Sequence, residues 1–91
     1  MLIRSQNKEL LVNFNVSAGI EIEERNTKTV VTSYITGCSY LLGEYSTKAK
    51  AMKVLDMIQE AYERYEYEKV FKTGLTLFET FQIPEDSEVE V

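Results

Sequence analysis

The chain has 91 residues, 44% of them apolar, with ten basic and fifteen acidic side chains and a net charge of −5. That length holds one core, since a domain needs roughly 50 residues or more to bury enough surface, and the acidic balance excludes the basic field that general nucleic-acid binding requires. One cysteine and no histidine exclude an internal disulfide, argue against a zinc site, and remove the commonest general base together with every Ser-His or Cys-His pair.

Residues 1–45 read as strands. Met1-Leu2-Ile3 and the alternating run Leu10, Val12, Phe14, Val16 flank a polar segment, which predicts an opening hairpin. Ile20 and Ile22 alternate with Glu21 and Glu23 after Gly19. Residues 25–28 form a turn, and residues 29–36 are rich in β-branched side chains and Tyr, which suit a pleated sheet. Gly37 turns the chain into a strand that runs to Gly43. Residues 46–68 lack Gly and Pro, and the period becomes helical. Ala51, Leu55, Ile58, Tyr62 and Tyr65 make one apolar stripe, flanked by Met52, Val54 and Ala61. Ser46 or Thr47 caps the first turn. A helix of that length spans about 34 Å and covers a small sheet. Residues 69–84 hold a final strand around residues 77–83, ended by Pro84. Residues 85–91 form an acidic tail, frayed or paired as an edge strand. The expectation is a single α+β domain: an antiparallel sheet of four to six strands packed against one long amphipathic helix.

No long apolar stretch follows Met1, and no run approaches the ~20 residues that span a bilayer. A soluble cytoplasmic protein without membrane contact is expected. The charge is uneven: residues 1–53 hold seven basic and five acidic side chains, and residues 54–91 three basic and ten acidic. Oligomerisation, expected as a homo-oligomer, is one route to added stability at this size.

Catalytic machinery is missing from the pattern. The four glycines, at 19, 37, 43 and 74, are too far apart for a P-loop or dinucleotide fingerprint. Glu60, Glu63 and Glu66 space along one helix face as a solvated surface, and Cys38 reads as a small buried hydrophobe. Neither an enzyme nor a cofactor or metal is expected. The departure from pattern lies at the helix start. Acids are favoured there by the helix dipole, yet the first turns carry Lys48, Lys50 and Lys53 and no acid before Asp56. Lysines, backbone N–H groups and the hydroxyls of Ser46 and Thr47 suit an anion such as phosphate, and Tyr45 can stack on a base. Solvated lysines balancing an acidic chain are the plainer alternative. The candidate ligand residues are Arg4, Tyr45, Ser46, Thr47 and Lys48. Tyr67 with Phe71 and Phe78 forms a second candidate, an aromatic patch for self-association, against the alternative of ordinary packing.

Three segments resemble small proteins of phages, prophages and mobile elements of Gram-positive bacteria. They are Met1-Leu2-Ile3-Arg4-Ser5-Gln6-Asn7-Lys8 with Leu11-Val12-Asn13-Phe14, then Leu42-Gly43-Glu44-Tyr45-Ser46-Thr47-Lys48 running into Ala51-Met52-Lys53-Val54-Leu55-Asp56-Met57-Ile58, and Phe81-Gln82-Ile83-Pro84-Glu85-Asp86-Ser87-Glu88-Val89-Glu90-Val91. The resemblance implies action in the host cytoplasm, commonly against antiviral defence. One form is a sponge that sequesters a small phosphate-bearing nucleotide signal. The alternatives are an acidic inhibitor of a defence protein and a structural or regulatory phage protein.

Overall fold

A computed structural model describes residues 1–71 and 80–91, with residues 69–71 described by their backbone. Six strands and one long helix are present among them: β1 (Leu2–Arg4), β2 (Leu11–Asn13), β3 (Gly19–Arg25), β4 (Lys28–Ile35), β5 (Cys38–Tyr45), α1 (Lys48–Phe71) and β6 (Thr80–Gln82). The α+β expectation with one covering helix is met. The single antiparallel sheet is corrected: the strands divide into two three-stranded sheets, ordered β2-β1-β6 and β3-β4-β5.

Turn chemistry explains the second sheet. Two tight hairpins connect β3, β4 and β5, with Asn26, Thr36 and Gly37 at positive φ in their turns. Such backbone is favoured by Asn and Gly and strains Thr. A register shift between Val31 and Thr32 inserts an extra residue in β5. That bulge lets Leu42 and Tyr45, three residues apart, both turn inward and become buried.

The first sheet has a different origin. β1 and β2 form the expected opening hairpin, with Ile3 opposite Val12. β6 then joins the other side of β1 in parallel, setting Ile3 beside Phe81. A parallel pair needs a long crossover, and here α1 lies within it. β6 falls within the final strand expected around residues 77–83; residues 69–71, placed after the helix by the sequence, belong to α1, and residues 72–79 lie outside the described residues.

One apolar cluster joins both sheets to the helix. Ile3, Val12, Val31, Leu42, Ile83 and Val89 meet Ala51, Val54, Ile58 and Ala61 of α1. The buried seam therefore runs through Ala51 and Ile58 of the predicted stripe and through Val54 and Ala61, expected at its flank, while Leu55, Tyr62 and Tyr65 are half-buried beside it. Alanines at 51 and 61 let the helix approach the strands closely. Cys38 corrects another expectation: it is exposed, because it sits at the β4–β5 hairpin tip, opposite Ile35.

The tail is corrected as well. Residues 86–88 form a 3-10 turn, Asp86–Glu88, and Val89 is 4% exposed within the core. Residues 85–91 are therefore packed into the fold, and they are not an edge strand.

Gly43 has a packing role in β5. A Cβ there would stand 3.0 Å from Ile83 Cγ2 and 3.2 Å from Tyr45 Cε2. Gly43→Ala is expected to cost about 1–3 kcal/mol by overpacking, read as a drop in the urea midpoint at unchanged m-value. An unshifted midpoint would show that Ile83 gives way freely.

Candidate functional site

The helix start is where the sequence placed a ligand, and the structure places a carboxylate of the same chain there. Asp86 Oδ1 accepts hydrogen bonds from Ser46 N at 2.8 Å and Ser46 Oγ at 3.1 Å. Lys50 Nζ donates to the Asp86 carbonyl at 2.9 Å and to Oδ2 at 3.3 Å. Thr47 Oγ1 accepts from Lys50 N at 3.2 Å, so Thr47 is the residue that caps α1. The Ser46 backbone N–H above all, helped by its hydroxyl and the Lys50 ammonium, holds the Asp86 carboxyl below its ordinary value, although desolvation pushes the other way.

Tyr45 is 1% exposed and its hydroxyl donates to Pro84 O at 2.7 Å, so its ring presents no face on which a base could stack. Burial, followed by the charges of Glu85, Asp86 and Glu88, pushes its phenol far above the ordinary value. Lys48 is exposed. Arg4 lies on the outer face of β1, in register with Leu11 and Gln82, and its Nε donates to Lys8 O at 3.0 Å. A cavity of roughly 330 Å³ does adjoin Tyr45 and Ser46, lined also by Gln6, Lys28, Glu44, Glu85 and Asp86. Arg4, Thr47 and Lys48 do not line it. Three carboxylates face one ammonium there, and that ammonium pairs with Glu44 at 3.3 Å. Its excess of carboxylates does not suit phosphate.

Because the carboxyl of Asp86 is held low in the fold, its contribution to stability is present above the unfolded value of about 4. It is lost as pH falls through the lower folded value. Asp86→Asn should therefore flatten the dependence of the urea midpoint on pH below about 4. Equal slopes for both proteins would mean that the carboxylate is not held as described.

A second cleft, roughly 350 Å³, lies between the start of β3 and α1. Its walls include Phe14, Ala18, Ile20, Leu55, Ile58 and Tyr62. Phe14 and Tyr62 pack with ring centroids 4.8 Å apart. Sequence reasoning missed this cleft because it assigned Leu55, Ile58 and Tyr62 wholly to the core. Ile58 is indeed core, but Leu55 and Tyr62 are half-buried, and a helical period alone does not tell a covered position from one at the rim of a cleft. Tyr67 is exposed; the side chains of its proposed patch partners, Phe71 and Phe78, lie outside the described residues.

Among the described residues no cluster of three metal-ligating side chains occurs, and no helix is long and apolar enough to cross a membrane. No family model, no curated protein and no solved structure matches the chain.

Proposed function

We propose that this chain is a non-enzymatic anti-defence protein of a phage or mobile element that inhibits a host protein by docking on it. The observation that carries this reading is the apolar cleft between β3 and α1. A concave apolar wall rimmed by polar groups suits the anchoring side chain of a partner. The net charge of −5 favours encounter with a basic surface, and the setting follows the resemblance of the chain's ends and helix to small phage proteins.

The nucleotide sponge is less well supported by the geometry. A phosphate at Ser46 would have to displace Asp86 and would meet Glu44 and Glu85 beside it. Docking at the cleft requires no such displacement.

The test is an infection assay in Gram-positive hosts carrying single defence systems, with and without the chain. Leu55→Lys, which puts a charge in the cleft, is expected to abolish phage rescue while circular dichroism and Tm stay near those of the parent. Met52→Lys, on an exposed helix position, is expected to keep it. Full rescue by Leu55→Lys overturns the reading. So does calorimetric binding tighter than about 100 µM to a cyclic di- or trinucleotide or a cyclic ADP-ribose isomer, which would restore the sponge.

A further inference from the structure

The two long edges of the β3-β4-β5 sheet are treated differently by the chain. Along β5, Gln6 occupies the outer backbone groups. Its N–H donates to Leu42 O at 2.7 Å, its Nε2 donates to Glu44 O at 3.1 Å, and its Oε1 accepts from Glu44 N at 3.1 Å. A single side-chain amide thus stands in for a neighbouring strand. Along β3 nothing equivalent is present among the described residues. β3 is seven residues long, pairs with β4 alone, and so turns half of its backbone donors and acceptors outward.

The side chains of β3 also separate by face. Ile20 and Ile22 are half-buried, and Ile20 lines the cleft. Glu21 and Glu23 are exposed on the opposite face. A strand added to this edge would alternate in the same way. One set of its side chains would enter the cleft toward Leu55 and Tyr62, and the other would lie beside Glu21 and Glu23.

We propose that β3 is a strand-addition edge that takes an extended segment of the partner protein in which apolar residues alternate with Lys or Arg. This deepens the partner-docking reading and rests on it. Charge selects the occupant. In the registers that keep Ile22 on an isoleucine, a second copy pairing antiparallel through β3 would set Glu21 against Glu23 with Ile22 on Ile22, or Glu21 against Glu21 with Ile20 on Ile22. Like charges directly opposite are destabilising. Glu23 pairs with Arg25 at 3.1 Å and Glu21 accepts from the Tyr34 hydroxyl at 2.8 Å, yet both carboxylates stay exposed. A basic segment adds an opposite charge across the strands to each, a kind of cross-strand pair that is favourable.

The probe is an octapeptide of alternating Lys and Val, with an alternating Glu and Val peptide as its counterpart. The Lys peptide is expected to bind below about 1 mM, to slow hydrogen exchange at the β3 amides turned away from β4, and to weaken with added salt. The double variant E21K/E23K, altered only at exposed positions, should bind the Lys peptide about tenfold more weakly and the Glu peptide more tightly. Absence of binding to about 1 mM, protection at β2 or β6 instead, or indifference to the charge swap each overturns the proposal. The infection assay separates the two levels. Rescue lost with Leu55→Lys but kept with E21K/E23K removes the strand edge and leaves the cleft reading standing. Rescue kept with Leu55→Lys removes the docking reading itself, whatever the peptides do.

Discussion

Cutting the chain after Pro84 is expected to leave a protein that is largely unfolded at 37 °C. Residues 85–91 supply Val89 to the core and the carboxylate that engages Ser46 and Lys50. Burying a valine side chain contributes about 1.5–3 kcal/mol. Its removal also opens a void in the core, and the Ser46 N–H loses its acceptor. A chain of this size is expected to hold roughly 5–14 kcal/mol in total, so these losses take a large share of it. Removing four carboxylates from an acidic chain works the other way, yet relief of exposed like charge amounts to only tenths of a kcal/mol per pair. The loss of core prevails. Urea unfolding of the truncated chain beside Val89→Ala and Asp86→Asn would measure it. A truncated protein with the parent's midpoint would show that the tail is an appendage.

Ile3→Ala is expected to cost about 2–5 kcal/mol, and Ile3→Val about 0.5–1.5 kcal/mol. Ile3 is fully buried and stands between Val12 and Phe81 in the central strand of its sheet. It shares the core with Met1 from its own end of the chain and with Ile83 and Val89 from the other. With β1 only three residues long, no neighbouring side chain on the strand can take over its packing. Thermal unfolding of the series should give two graded steps. Near-equal midpoints for Ile3→Val and Ile3→Ala would mean that the site collapses around the smaller side chain.

The fold was legible where the signal is local. Residues 46–68 announce a helix by the absence of Gly and Pro and by the 51-55-58-62-65 spacing, and the alternation around Ile20 and Ile22 announces β3. Period-two patterning says which face of a strand is covered, but not which strand lies beside it. Nothing in the spacing of Leu2–Arg4 and Thr80–Gln82 reveals their parallel pairing, so two sheets were read as one. The same limit governs the helix start. A run of lysines at a helix start suits an anion or plain solvation alike, and the group that Lys50 meets is the carboxylate of Asp86, 36 residues away. Long-range pairing of single polar residues leaves no periodic trace. Cys38 was misjudged for the opposite reason: residue type suggested burial, and its place at a hairpin tip prevented it.

The parallel pairing of β1 with β6 also sets an order of events during synthesis. β1 is translated early and can form only its hairpin with β2, leaving one side of Ile3 bare. Its second neighbour emerges after the whole of β3, β4, β5 and α1. The β3-β4-β5 meander, closed by short turns, can form while translation continues; the sheet that unites the termini cannot. Folding is therefore completed late and across a long sequence separation, which is slow for a chain of this size. During that interval the unfinished edge of β1 is open to chaperones and to misassembly with neighbouring chains.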